Sequence, residues 1–150
     1  MFHGRWGWFR YFYDFGRFWF PPEYLIELII LIVNTVQQDL KSDNYLVVCA
    51  ALTTICRLVN EETIPAVLPQ VTELLNHTQM HVRKKAVMAL HKFHLKSPSS
   101  VSHLHGKFRR MLCDKDPSVM GASLCALFDL TASAPADFKN LVPSFVSILK

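Results

Sequence analysis

Glycine is scarce in this chain, at 5 of 150 residues, and cysteine is scarcer still, at 4. So little glycine, with only 8 prolines, excludes a collagen-like or linker sequence. Four cysteines at this length are too few for a disulfide scaffold. Charged residues make up 19% of the chain against 51% hydrophobic, the reverse of the balance that keeps a chain disordered. No Cys-x-x-Cys, His-Glu-x-x-His, Gly-x-Ser-x-Gly or glycine-rich phosphate loop occurs, and no paired-carboxylate motif stands out. The longest aliphatic run, Leu28 to Val33, is bounded by Glu27 and Asn34 and is too short to span a bilayer. It reads as a buried first helix packing on an upstream repeat. The length suits one modest domain with material for a packed core.

What is present divides sharply. Residues 1–20 hold six Phe, two Tyr and all three Trp. Arg5, Arg10, Asp14 and Arg17 interrupt this segment too often for a membrane span, and it lacks the ordered parts of a signal peptide. Trp, Phe and Arg together suit a membrane interface. Without helical or strand periodicity, the segment reads more readily as an atypical leader, residues 1–21, outside the fold. Pro21-Pro22 then punctuates the change in composition.

From Leu25 the chain repeats itself. Val82-x-x-x-Ala86-Val87-x-Ala89-Leu90 recurs 37 residues later as Val119-x-x-x-Ser123-Leu124-x-Ala126-Leu127. Val47-x-x-x-Ala51-Leu52-x-Thr54-Ile55 precedes it by 35. A period of this size signals stacked helix pairs. Ile64, Val67, Leu68, Val71, Leu74 and Leu75 form one apolar helical stripe, and Val82, Ala86, Ala89, Leu90 and Phe93 form that of its partner. Val101, Leu104, Phe108, Met111 and Leu112 predict the next first helix. Asp116 then caps, with Pro117 at the first helical position of its partner. A last helix is expected from Asp137, carrying Phe138, Leu141, Phe145 and Ile148. Pro65, Pro69 and Pro143 belong in first turns or at bends, because an interior proline costs ~3 kcal/mol. The fold class is therefore all-α, a HEAT/armadillo-like α-solenoid of about three and a half helix-pair repeats. Their expected bounds are residues 25–60, 61–97, 98–135 and a partial 136–150, so the chain reads as a slice of a longer solenoid.

Charge is the clearest anomaly. No acidic residue lies between Glu73 and Asp114, where Arg83, Lys84, Lys85, Lys92, Lys96, Lys107, Arg109 and Arg110 all fall. A +8 stretch thus sits in a chain otherwise net −4. His81, His91, His94, His103 and His105 lie in the same stretch and would add positive charge on acidification. One reading is contact with an acidic partner, such as a phosphoinositide headgroup or an acidic protein surface. The other is a solvated helix face. Arg83-Lys84-Lys85 opens a helix, where the dipole disfavours cations, and this mildly favours a role. Nucleic acid is disfavoured, since exposed aromatics are not interleaved and no reader motif is present. His91-x-x-His94 and His103-x-His105 with Cys113 make a poor metal set beside so many cations. Cys49, Cys56 and Cys125 are expected to be buried free thiols on apolar helix stripes. No catalytic residue, metal or cofactor is indicated, and an enzyme is not expected.

Several strings in the chain resemble a known family: Leu28 through Val71, then Val82-Arg-Lys-Lys-Ala-Val-Met-Ala-Leu-His-Lys-Phe93, then Lys96-Ser-Pro-Ser-Ser-Val-Ser-His-Leu104 and Asp116 through Leu130. They are similar to the amino-terminal trunk of the large adaptins, and within that family to the epsilon branch of the fourth adaptor-protein complex in its plant form. The resemblance covers about residues 28–150. It implies a curved α-solenoid scaffold of a vesicle coat, without catalytic residues, serving intracellular protein transport and cargo sorting. The implied partners are a second large subunit, medium and small subunits, an Arf-type GTPase and anionic lipid. The implied location is the cytoplasmic face of the trans-Golgi network and its coated vesicles. By type alone, Arg83, Lys84 and Lys85 become candidate headgroup contacts. A different expectation is a stand-alone peripheral membrane binder using the basic stretch 83–110.

Overall fold

The computed structural model describes residues 22–133 and position 146. The leader, Pro143 and the helix expected from Asp137 lie outside the described residues, apart from Val146, which is helical. Every regular element among the described residues is helical. They fall into two units, divided after Thr35.

The described part of the first unit is the opening of helix α1 (Pro22–Asp39). Thr35 Oγ1 donates back to the Leu31 carbonyl at 2.9 Å, a bond within one turn. The expectation of a buried helix is corrected here. Leu28, Ile30 and Leu31 are 51%, 54% and 62% exposed. A run this uniformly apolar presents hydrophobic side chains around its whole circumference, whereas a packed neighbour covers only one face.

In the second unit, α1 ends with Val36 and Leu40 buried. Asn44 starts α2 (Tyr45–Leu58) by accepting from the Leu46 N–H at 3.0 Å, which satisfies one of the orphan donors of the first turn. Val48, Ala51, Leu52 and Ile55 supply its inward face. The chain then turns through a reciprocal lock. The Asn60 N–H donates to Thr63 Oγ1 at 3.1 Å, and the Thr63 N–H donates to Asn60 Oδ1 at 3.0 Å.

Helix α3 (Ile64–Glu73) carries Pro65 in its first turn and Pro69 inside it, and ends in a 3₁₀ turn, Leu74–Asn76. Pro69 removes the N–H that would bond the Pro65 carbonyl, and both residues are exposed, where water can serve that carbonyl. Helix α4 (Met80–Lys96) buries Val82, Ala86, Val87, Ala89, Leu90 and Phe93. The stripes expected on α3 and α4 are found, with Leu68 and Leu74 only half-buried.

The third first helix differs from the single helix anticipated. It is broken into α5 (Pro98–Val101), a 3₁₀ turn (Ser102–Leu104) and α6 (His105–Met111). The Ser102 hydroxyl donates to the Ser99 carbonyl at 3.0 Å, the kind of local bond by which serine competes with a helical ladder. Val101, Leu104, Phe108, Met111 and Leu112 are buried all the same, because their spacing keeps them on one side through either helix type. Asp116 Oδ1 accepts from the Ser118 N–H at 2.8 Å and starts α7 (Pro117–Ser133). Its inward face is Val119, Ser123, Ala126, Leu127 and Leu130.

Helix α4 packs against both α2 and α7, so these three second helices form a layer. Helices α3 and α6 each pack against their own partner, α4 and α7, and form the other layer.

Candidate interaction surface

The basic stretch begins in the first turn of α4. Arg83 points across to the next turn, where Nε and Nη2 both reach the Asp114 carboxylate at 2.8 Å. Nη1 donates to the carbonyls of His77 (3.0 Å) and Thr78 (2.9 Å). The pair is nearly enclosed, with side chains 14% and 7% exposed. A planar guanidinium suits this fork, and a lysine could not reproduce it. The Arg83 hydrogen bonds hold the Asp114 carboxyl below its ordinary range, and Asp114 raises the guanidinium in return.

Three more of the basic side chains are tied internally. Lys85 Nζ donates to Thr53 Oγ1 on α2 at 2.8 Å, Lys96 Nζ to the Val59 carbonyl, and Arg110 Nη2 to Asn76 Oδ1 at 2.6 Å. Ser97 Oγ donates to Glu61 Oε1 at 3.0 Å, and His91 Nε2 meets Asp129 Oδ2 at 2.7 Å. Apart from the Nη1 bonds, each contact links residues 31 to 38 apart, close to one repeat, and so stitches neighbouring helix pairs together. The internal hydrogen bonds of Arg83, Lys85 and Lys96 are the structural reason for cations at the opening and end of α4.

Lys84, Lys92, Lys107 and Arg109 have no hydrogen bond or ion pair recorded among the described residues. They do not form one patch. Lys84 and Lys92 lie on α4, in the second-helix layer, while Lys107 and Arg109 lie on the exposed side of α6, whose Phe108 and Met111 face the core. One stretch of sequence thus supplies two separate surfaces.

The histidines do not assemble a metal centre. His91 is engaged with Asp129, His103 is exposed, and no group of three His, Cys, Asp or Glu converges among the described residues. Burial, reinforced by the nearby His105 and His91, lowers the pKa of His94. Cys49 is buried and Cys56 half-buried, and burial pushes both thiols up, away from the reactive thiolate. The expectation for Cys125 is corrected. It is exposed, because the buried stripe of α7 runs through Ser123, Ala126 and Leu130 and leaves Cys125 on the far side.

Sequence reasoning missed the partners Asp114 and Asp129. Their separation from Arg83 and His91, about one repeat, was the available signal. It also missed the outward apolar positions Met88, Leu95 and Phe128. Among the described residues no helix is long and apolar enough to cross a membrane.

Helix pairs stacked in two layers and stitched at the repeat interval define an α-solenoid scaffold. Residues 23–150 match the family described as the adaptin N terminal region, and the chain belongs to that family. It is 73% identical over 124 residues to the AP-4 complex subunit epsilon of Arabidopsis thaliana, covering 83% of this chain and 13% of that protein. It is 48% identical over 124 residues to the AP-4 complex subunit epsilon-1 of Homo sapiens, covering 83% and 11%. The structure titled "Homology model of the full-length AP-3 complex in an intermediate open conformation" contains a similar chain. The match has a TM-score of 0.72 and 28% identity, and covers 82% of this chain and 22% of that one. The chain therefore spans between about a tenth and a quarter of the relatives it matches.

Proposed function

We propose that this chain serves as the amino-terminal trunk segment of an epsilon-type large subunit in an adaptor-protein vesicle coat. In this role it is a non-catalytic scaffold for intracellular protein transport. The observation that carries the reading is the 73% identity over 124 residues with an AP-4 epsilon subunit, which is far above the level at which fold alone is shared. The stacked helix pairs and the inter-repeat bonds support it, since they make a rigid surface rather than a reaction site. Its partners are then the second large, medium and small chains of the complex, with an Arf-type GTPase and anionic lipid for recruitment. Its location is the cytoplasmic face of the trans-Golgi network and coated vesicles.

Within that reading, contacts to acidic headgroups or acidic partners fall to Lys84, Lys92, Lys107 and Arg109. Arg83, Lys85, Lys96 and Arg110 already donate within the fold. The test is affinity purification of the 150-residue chain from its own cells, with mass spectrometry of the bait and its companions. Recovery of the other adaptor subunits is expected. Intact bait with none of them refutes the reading.

A further inference from the structure

Helix α1 opens with large apolar side chains in water. Leu28, Ile29, Ile30 and Leu31 are all exposed, on four consecutive positions that circle the helix. Single exposed apolar residues are ordinary, but a contiguous group marks a surface that something covers. A solenoid helix with an open side needs polar residues there, and α1 has the opposite.

The charge around this run is one-sided. Glu27 is exposed beside it, and Pro22–Asp39 holds Glu23, Glu27 and Asp39 with no lysine or arginine. An anionic lipid surface would meet that acid with repulsion. A second copy of α1 would set acid against acid. The cover that fits is apolar and cationic, and such a segment adjoins α1 in the chain. Residues 1–20 hold six Phe, two Tyr and three Trp, with Arg5, Arg10 and Arg17 against one acid, Asp14. Aromatic rings bring the largest apolar area per residue, ~150–250 Å² each.

Reach is not limiting. The helix rises only ~14 Å from Pro22 to Leu31, whereas the residues before Pro22 could extend to ~70 Å. Tethering gives them an effective concentration on the order of 1 mM, roughly a thousandfold above that of a micromolar partner. We propose that residues 1–21 fold back on the opening of α1, setting aromatic rings against Leu28, Ile30 and Leu31 and arginines toward Glu27. The leader then caps this helix, and the face is closed to other proteins unless they displace it. This stands apart from the coat-scaffold reading, since the run and its cover belong to one chain.

Trp6, Trp8 and Trp19 are the only tryptophans, so the emission of the full chain reports on the leader alone. Native emission should lie to the blue of that in urea, with weaker quenching by acrylamide, at every chain concentration. Leu28→Glu with Leu31→Glu moves it to the red and restores quenching. Glu27→Arg, which leaves every apolar side chain in place, does so in part. All three positions are exposed, and circular dichroism checks that helicity is kept. Phe128→Glu, at an exposed apolar position on α7, leaves the emission unchanged. Emission alike in buffer and urea, or unmoved by the substitutions on α1, overturns the proposal. So does a blue shift that vanishes on dilution, since the occupant is then a second copy. A blue shift that appears only with anionic vesicles also overturns it, and makes the occupant a lipid surface. Adaptor co-purification is read separately, so either result can fail while the other stands.

Discussion

Asp114→Ala should open the clasp between the second and third helix pairs. The carboxylate receives two guanidinium bonds of 2.8 Å and a third, at 2.9 Å, from the Asp116 N–H. Each bond to a charged group is worth ~1.5–3 kcal/mol. Removing one member of an enclosed pair also strands the other charge, for a total of ~3–5 kcal/mol when burial is complete. Arg83 keeps its bonds to the His77 and Thr78 carbonyls, and both side chains retain slight exposure, so the expected loss falls to about 2–4 kcal/mol. At ~2–4 °C per kcal/mol for a chain of this size, the melting temperature drops by roughly 4–16 °C.

Urea titrations followed by circular dichroism measure the loss, and Arg83→Met with the double variant complete a cycle that isolates the pair. Acidity supplies an independent check. Because the folded carboxyl titrates below the unfolded one, the pair's contribution is fully present above the ordinary aspartate pKa near 3.8 and is lost as pH falls through the lower folded value. Wild type therefore loses this increment in acid, and Asp114→Asn does not. A loss under about 0.5 kcal/mol for Asp114→Ala, the scale of an exposed pair, would refute the reasoning.

His94 is held neutral by burial, so the unfolded chain takes up its proton first as pH falls below about 6.5. Stability should fall from there until the lower folded pKa is reached, and His94→Leu should flatten that part of a melting-temperature profile. A profile unchanged by the substitution counts against the assignment. Thiol titration of the folded chain with a chromogenic disulfide should show Cys113 and Cys125 reacting rapidly and Cys49 slowly until denaturant is added. Rapid reaction of Cys49 in the native state would contradict its burial.

Much of the fold was legible because helical periodicity is local. Val82, Ala86, Ala89, Leu90 and Phe93 fall on one side of any α-helix they occupy, and all five are buried. The cap at Asp116 follows from the same locality, since its side chain bonds an amide two residues ahead. The period of 35–37 residues marked helix pairs before any contact was known.

The surfaces were another matter. Along the chain the eight cations form one run, yet in three dimensions four of them donate across repeats and the other four divide between two layers. Proximity in sequence fixes neither partner nor facing once a turn intervenes, and Arg83 meets Asp114 only because stacking brings successive turns together. The same holds for the exposed run at Leu28–Leu31 and for Cys125. Composition sets how apolar a side chain is. Whether water leaves it depends on the neighbouring element that packs there, and only the tertiary structure decides that.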